Sequence, residues 1–217
     1  MLNKVTLVIV AHMDDEALNC GGLIRKRVQQ GYDVHVLVMF GRKYFSGNVA
    51  MKVDRQEEHF MTAKKILGYK DSILVNLEEG EPLKSVGYYT ILDSIEGALK
   101  TLRPSEVIIP SEVDTNQDHR FLNDACRIAL RPSNRDTIQR ILIAEGYDTE
   151  LVQPNYYVPL SKTEFSSKVS AVSCYADEWR ESPHPRSEQG LVSKHQLHGT
   201  FCFATYAEAY RIYYQKD

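Results

Sequence analysis

Between residues 12 and 16 the sequence reads His-Met-Asp-Asp-Glu. Three consecutive acids beside an imidazole repel one another unless something absorbs their charge. A helix start absorbs one carboxylate, as a cap and as a partner for its dipole. A divalent metal absorbs more. Imidazole with carboxylate suits a hydrolytic zinc ion, which needs three protein ligands and one position open to water. His12 and Asp15 supply two ligands. A second polar stretch, Asp114-Thr-Asn-Gln-Asp-His119, offers His119 as the third. A lone histidine after a strand is ordinarily structural, so His119 draws its weight from His12 and Asp15.

Both stretches follow a short apolar run, which is where an α/β protein places its chemistry. Val5 to Val10 is continuous and β-branched, as expected for a parallel strand covered on both faces. Glu16 to Gln30 has helical spacing with Gly31 as a stop, and Val34 to Phe40 completes a strand–helix–strand unit whose crossover is right-handed. The alternation continues through a helix over Arg55 to Leu67, a strand over Ser72 to Leu77, a helix over Tyr88 to Leu102 and a strand over Glu106 to Pro110. A helix over Phe121 to Ala129 and a strand over Ile138 to Ala144 follow. Beyond them the reading is an irregular stretch from Tyr147 to Pro159, a helix over Phe165 to Trp179, a loop over Glu181 to Ser187, and a terminal helix over Tyr206 to Tyr214. The expected fold is α/β: a Rossmann-like, doubly wound, mostly parallel sheet with helices on both faces and its ligand crevice beyond the carboxyl ends of the strands. One domain over residues 1–217 is expected, with a core at 4–145 and a closing, substrate-shaping segment at 146–217.

Composition removes several classes of function. A net charge of -3 and the lack of any block of basic residues argue against a nucleic-acid partner. The early apolar run, Val5 to Ala11, is far shorter than the roughly 20 residues that span a bilayer. The N-terminus has no signal-peptide pattern, so the expected location is cytoplasmic. Cys20, Cys126, Cys174 and Cys202 are scattered and read as reduced, mostly buried thiols. A homo-oligomeric state is left open.

These residues resemble the signatures of the PIG-L/LmbE-like zinc N-deacetylases, which remove acetyl groups from N-acetylated sugars and related amides. The family's His-Pro-Asp-Asp-Glu appears in Ala11-His-Met-Asp-Asp-Glu-Ala-Leu-Asn-Cys-Gly-Gly22, with Met13 where proline is usual. Its His-Pro-Asp-His falls on Asn116-Gln-Asp-His119. Arg55-Gln-Glu-Glu58, leading to Ile66-Leu-Gly68, and Tyr206-Ala-Glu-Ala-Tyr210 are similar to further family segments. The resemblance covers residues 4 to 130 well. It implies zinc on His12, Asp15 and His119, with iron(II) as an alternative metal, Asp14 as catalytic base and a small N-acetylated substrate.

The departure is Asn116, which cannot carry the charge of the family's histidine but can donate an amide hydrogen bond worth roughly 3 kcal/mol of barrier in a dry site. Asp118 joins Asn116 in the catalytic set and is expected to orient it or to contact a sugar hydroxyl. Two substrate contacts are expected. His184, between two prolines, is a replacement cation or a rigid turn element, and Arg55 is a clamp on a phosphate or hydroxyl or a mere helix partner of Glu58. Two rivals stand beside a deacetylase. One is a catalytically silent metal-binding relative, motivated by Asn116. The other is a nucleotide-binding Rossmann module, disfavoured because no G-x-G-x-x-G follows the first strand.

Overall fold

The structure is a computed structural model that describes residues 3–41, 49–78, 87–146 and 153–216. Its first strand, β1 (Val5–Val10), divides its side chains between two cores by simple alternation. Val8 and Val10 enter one apolar cluster, with Leu23 and Ile24 of α1 (Asp15–Gln29), Phe60 of α2 (Val49–Leu67) and Phe165 of α5 (Lys162–Ser173). Leu7 and Ile9 enter the other, with Ile91 of α3 (Gly87–Leu102) and Leu122 of α4 (Gln117–Ala129). A strand buried on both faces needs no polar alternation, which is why β1 reads as an unbroken apolar run.

The remaining strands are β2 (Asp33–Gly41), β3 (Asp71–Glu78), β4 (Glu106–Ile109), β5 (Arg140–Ala144), β6 (Tyr156–Leu160) and β7 (Tyr206–Gln215). Among the described residues they form one sheet of order β3-β2-β1-β4-β5-β7-β6. The first five pair in parallel, while β7 runs antiparallel to both β5 and β6. This is the doubly wound α/β fold expected, with an antiparallel edge. Strand order reverses between β1 and β4, so the crevice outside their carboxyl ends is the switch point where such sheets bind ligands.

Three expectations for the second half are corrected. The segment Tyr206 to Tyr214 is strand β7, not a helix. Its Ala-Glu-Ala centre favours helix, but β5 and β6 offer it ladders on both sides, and pairing outweighs propensity. The stretch read as irregular contains β6, which holds Pro159 because it is the sheet's edge, where a missing N–H costs little. The helix expected over Phe165 to Trp179 starts at Lys162, under a Ser161–Glu164 capping box, and ends at Ser173. A further helix, α6 (Glu188–Thr200), was not expected. Its buried face is made of Leu191, His195, His198 and Gly199, and two histidines hide an apolar stripe.

Helix α1 is kinked at Cys20, whose backbone (φ -144°, ψ 18°) is not helical. The kink frees Leu18 O and the N–H groups of Gly22 and Leu23. A buried ion pair takes them up: Lys168 Nζ donates to Leu18 O at 2.6 Å, and Glu208 accepts from Gly22 N at 2.8 Å and Leu23 N at 2.6 Å. Lys168 and Glu208 meet at 2.6 Å, so α5 and β7 are wired into the helix that opens the site.

Of the four cysteines, all free, Cys20 and Cys126 are buried, whereas Cys174 and Cys202 are half-buried. Among the described residues no helix is long and apolar enough to cross a membrane. Of the substrate-shaping segment expected over 146–217, residues 147–152 lie outside the described residues.

Candidate metal centre

Strand β1 stops at Val10, and His12 to Glu16 turn into the first turn of α1. Beside it β4 stops at Ile109, and Asn116 caps α4 through Oδ1, which accepts from Asp118 N at 2.9 Å. Helix α4 therefore begins at Gln117, four residues before the expected start, and Asp118 and His119 ride on its first turn. Because β1 and β4 are paired neighbours, these two turns face each other.

His12 Nδ1, Asp15 Oδ2 and His119 Nε2 converge. The edges of this triangle are 3.5 Å (His12 to Asp15), 3.1 Å (His119 to Asp15) and 3.3 Å (His119 to His12), and all three residues are buried. A tetrahedral zinc with bonds of about 2.0–2.1 Å separates its ligand atoms by about 3.3–3.4 Å. The triangle fits that ion. A single proton can bridge only one edge at a time, whereas a cation at the centre serves all three atoms.

The outer ring nitrogens are tied as well. His119 Nδ1 lies 2.8 Å from Asp114 Oδ2, and His12 Nε2 lies 3.2 Å from Asp118 Oδ2. A carboxylate on the outer nitrogen fixes the tautomer, so that the inner nitrogen carries its lone pair toward the centre. Oδ2 of Asp118, the residue expected to orient Asn116 or to contact a sugar hydroxyl, thus faces His12. The sequence alone assigns Asp114 no role. Its signal is visible in hindsight as an acid five residues before His119 at a helix start.

Electrostatics within the triangle are strongly mutual. Burial pushes the Asp15 carboxyl up, but the charges and hydrogen bonds of His119 and His12 outweigh it and hold it well below the usual range. Burial likewise opposes charge on His119, yet Asp15 and Asp114 raise it to about 10. A metal ion bound there would compete with the proton that these carboxylates favour on His119.

Asp14 occupies the N-cap of α1 with φ 142° and ψ -28°, a strained conformation for a residue with a side chain, of the kind that clusters at functional sites. Its N–H donates to Glu16 Oε2 at 3.1 Å. Glu16 is fully buried, and burial together with the Asp14 charge raises its pKa to about 8, against the 2.5 Å bond it accepts from Tyr175 OH. The Asp14 carboxylate makes no cap bond and instead accepts from Arg186 Nη1 at 3.1 Å.

The two expected substrate contacts sit on α2 and in the loop between α5 and α6. Arg55 is exposed on α2, as is Glu58, and it is the neighbouring Gln56 that reaches the motif turn, Nε2 to Met13 O at 3.4 Å. His184 accepts a bond at Nδ1 from Arg186 N at 3.0 Å. Within that loop the guanidinium beside Asp14 belongs to Arg186, which the sequence alone does not single out.

Two histidines and a carboxylate that could hold a metal ion, at the switch point of a doubly wound sheet, define a class of α/β proteins with a candidate metal site. The particular family follows from the sequence: residues 7–130 match the GlcNAc-PI de-N-acetylase (PIG-L) family, and the chain belongs to it. Solved structures agree on the fold. The conserved protein TT1542 from Thermus thermophilus is 21% identical with a TM-score of 0.79, over 100% of this chain and 97% of its own. The N,N'-diacetylchitobiose deacetylase from Pyrococcus horikoshii is 19% identical with a TM-score of 0.78, over 96% and 83%. GalB, a 4-carboxy-2-hydroxymuconate hydratase from Pseudomonas putida, is 19% identical with a TM-score of 0.76, over 99% and 98%. No curated protein sequence matches the chain significantly.

Proposed function

We propose that the chain is a zinc-dependent amidohydrolase that removes an acetyl or related acyl group from an N-acylated amino sugar or similar small amide. The observation that carries the reading is the triangle of His12 Nδ1, Asp15 Oδ2 and His119 Nε2, with edges of 3.1–3.5 Å matched to a tetrahedral ion. Family membership and deacetylases among its structural relatives support the choice of bond. Two imidazoles and a carboxylate also suit iron(II), so the metal is a matter for measurement.

When bound, the metal lowers the pKa of water toward about 7 and polarises the amide carbonyl. Asp14 takes the proton from the attacking water as its oxygen bonds to the acyl carbon. The same carboxyl then hands that proton to the nitrogen as the C–N bond breaks, leaving acetate and a free amine. Asn116 spends Oδ1 on the α4 cap, so its amide N–H groups are the part left to donate to the acyl oxygen as negative charge builds there. Asp118 and Asp114 hold the two histidine rings in place.

The test is metal analysis of the purified protein combined with acetate release from N-acetylated amino sugars, free and nucleotide-linked. One metal per chain is expected, with turnover abolished by chelation and restored by zinc. A metal-loaded protein that leaves every amide intact would sink the hydrolase reading, and turnover of an unsaturated acid instead would place it with the hydratase.

A further inference from the structure

We propose that Arg186 is the positioning residue of Asp14, delivered by the loop between α5 and α6; the inference rests on the reading of Asp14 as the base. Arg186 Nη1 donates to Asp14 Oδ2 at 3.1 Å and to Glu178 Oε2 at 2.7 Å. The Asp14 side chain is 1% exposed and that of Arg186 15%, so the pair is nearly dry. A base in this position faces a specific difficulty. Asp15 and Asp118 crowd the same pair of turns, and each adds negative charge against an ionised Asp14. A contacting guanidinium offsets that charge, and its planar, directional donors fix where the carboxylate points. The requirement is demanding, because catalytic groups must be held to within about 0.5 Å of productive geometry.

The loop is built to present this side chain. His184 N donates to Glu181 O at 3.0 Å, Ser187 N to His184 O at 2.9 Å, and Arg186 N to His184 Nδ1 at 3.0 Å. Ser187 then caps α6, accepting from Gly190 N at 3.1 Å. A Cβ on Gly190 would stand 2.5 Å from Pro185 O and 2.7 Å from His184 O, so the loop lies directly on the first turn of α6. Glu178, the second acceptor, sits just past α5, its N–H bonded to Tyr175 O at 2.8 Å. Two routes from the C-terminal segment therefore converge on one residue. Tyr175 reaches the Asp14 backbone through Glu16, and Glu178 reaches its side chain through Arg186.

The experiment has two arms. In the first, metal-free wild type, Asp14→Asn, Arg186→Met and the double variant are unfolded in urea. Coupling of about fivefold or more in the unfolding equilibrium constant is expected, and coupling below about twofold overturns the proposal. Should Arg186→Met fail to fold, Arg186→Lys runs through the same cycle. In the second arm, Arg186→Met lowers kcat by about 10²-fold with KM within about threefold, the signature of a misplaced group. Arg186→Lys recovers part of that loss, guanidinium added to Arg186→Ala restores turnover, and zinc content stays unchanged throughout. In an Asp14→Asn background Arg186→Met costs less than about twofold more, since residues acting as a unit are not additive. A full additive loss there means that Arg186 acts on substrate directly, and the proposal falls. If the wild-type protein releases no acetate from any amide, the hydrolase reading fails while the urea cycle still decides the role of Arg186.

Discussion

Asp118 Oδ2 lies 3.2 Å from His12 Nε2, across the imidazole ring from the nitrogen that faces Asp15. Asp114 stands in the same relation to His119, at 2.8 Å. Neither acid is one of the three converging ligands, yet each decides which nitrogen of its histidine carries a lone pair inward. Asp118→Asn and Asp114→Asn are each expected to weaken zinc binding by about 10–100-fold, read by competition with a chromogenic chelator. Affinity equal to wild type in both variants would mean that the carboxylates serve packing alone.

Asp14 and His119 separate chemistry from binding. Asp14→Asn keeps the side-chain shape and removes the proton acceptor, so turnover is expected to fall by about 10²–10⁴-fold while one zinc per chain is retained. His119→Ala removes a ligand and is expected to lose the metal itself. Parallel metal analysis and acetate-release assays check both. An Asp14→Asn protein turning over at near the wild-type rate would assign the proton transfer to another group.

The Lys168–Glu208 pair predicts an asymmetry. Lys168→Met leaves the Glu208 carboxyl enclosed without its cation, still accepting from Gly22 and Leu23, and removing one partner of such a pair costs about 3–5 kcal/mol. Urea unfolding measures this. Gly22→Ala acts at the same joint, because its Cβ would stand 3.0 Å from the Glu208 carboxyl and press on Leu160. Loss of stability in both variants, without loss of the metal triangle's residues, would show that the kink in α1 depends on this support.

His195 gives the protein a dependence on acid. Burial holds its pKa well below the ordinary 6.5, helped by the charges of Lys168, Lys194 and His198 and opposed by its bond from Nδ1 to Leu191 O. The unfolded chain therefore binds a proton near pH 6.5 that the folded chain refuses. The associated stability is complete above that pH and declines as the pH falls. His195→Gln, compared with wild type in urea from about pH 7 to about pH 5, is expected to flatten part of the decline. Two parallel curves would exclude His195 as its source.

Legibility in the sequence tracked locality. His12, Asp14 and Asp15 are close together in a turn after an apolar strand, and the strand–helix alternation through residue 144 needed only local periodicity. His119 became legible because paired parallel strands bring their ends together. Strand β7 did not, because Ala207, Glu208 and Ala209 carry helix propensity and only the β5 and β6 ladders decide otherwise. Helix α6 was hidden by His195 and His198 on its buried face. Arg186 meets Asp14 from 172 residues away, and nothing in its own segment announces the contact.

The inserted Lys168–Glu208 pair bears on how the chain can be divided. A fragment ending after β5 would keep every ligand and both signature turns, along with the whole of the family-matching region. It would also leave the β5 edge bare and the amides of Gly22 and Leu23 without their acceptor, in the helix whose first residue is Asp15. The recognisable part of the chain thus leans on the rest: its first helix is spliced to its last strand, and excision of the motif region would strip acceptors from the helix that opens on the candidate ligand Asp15.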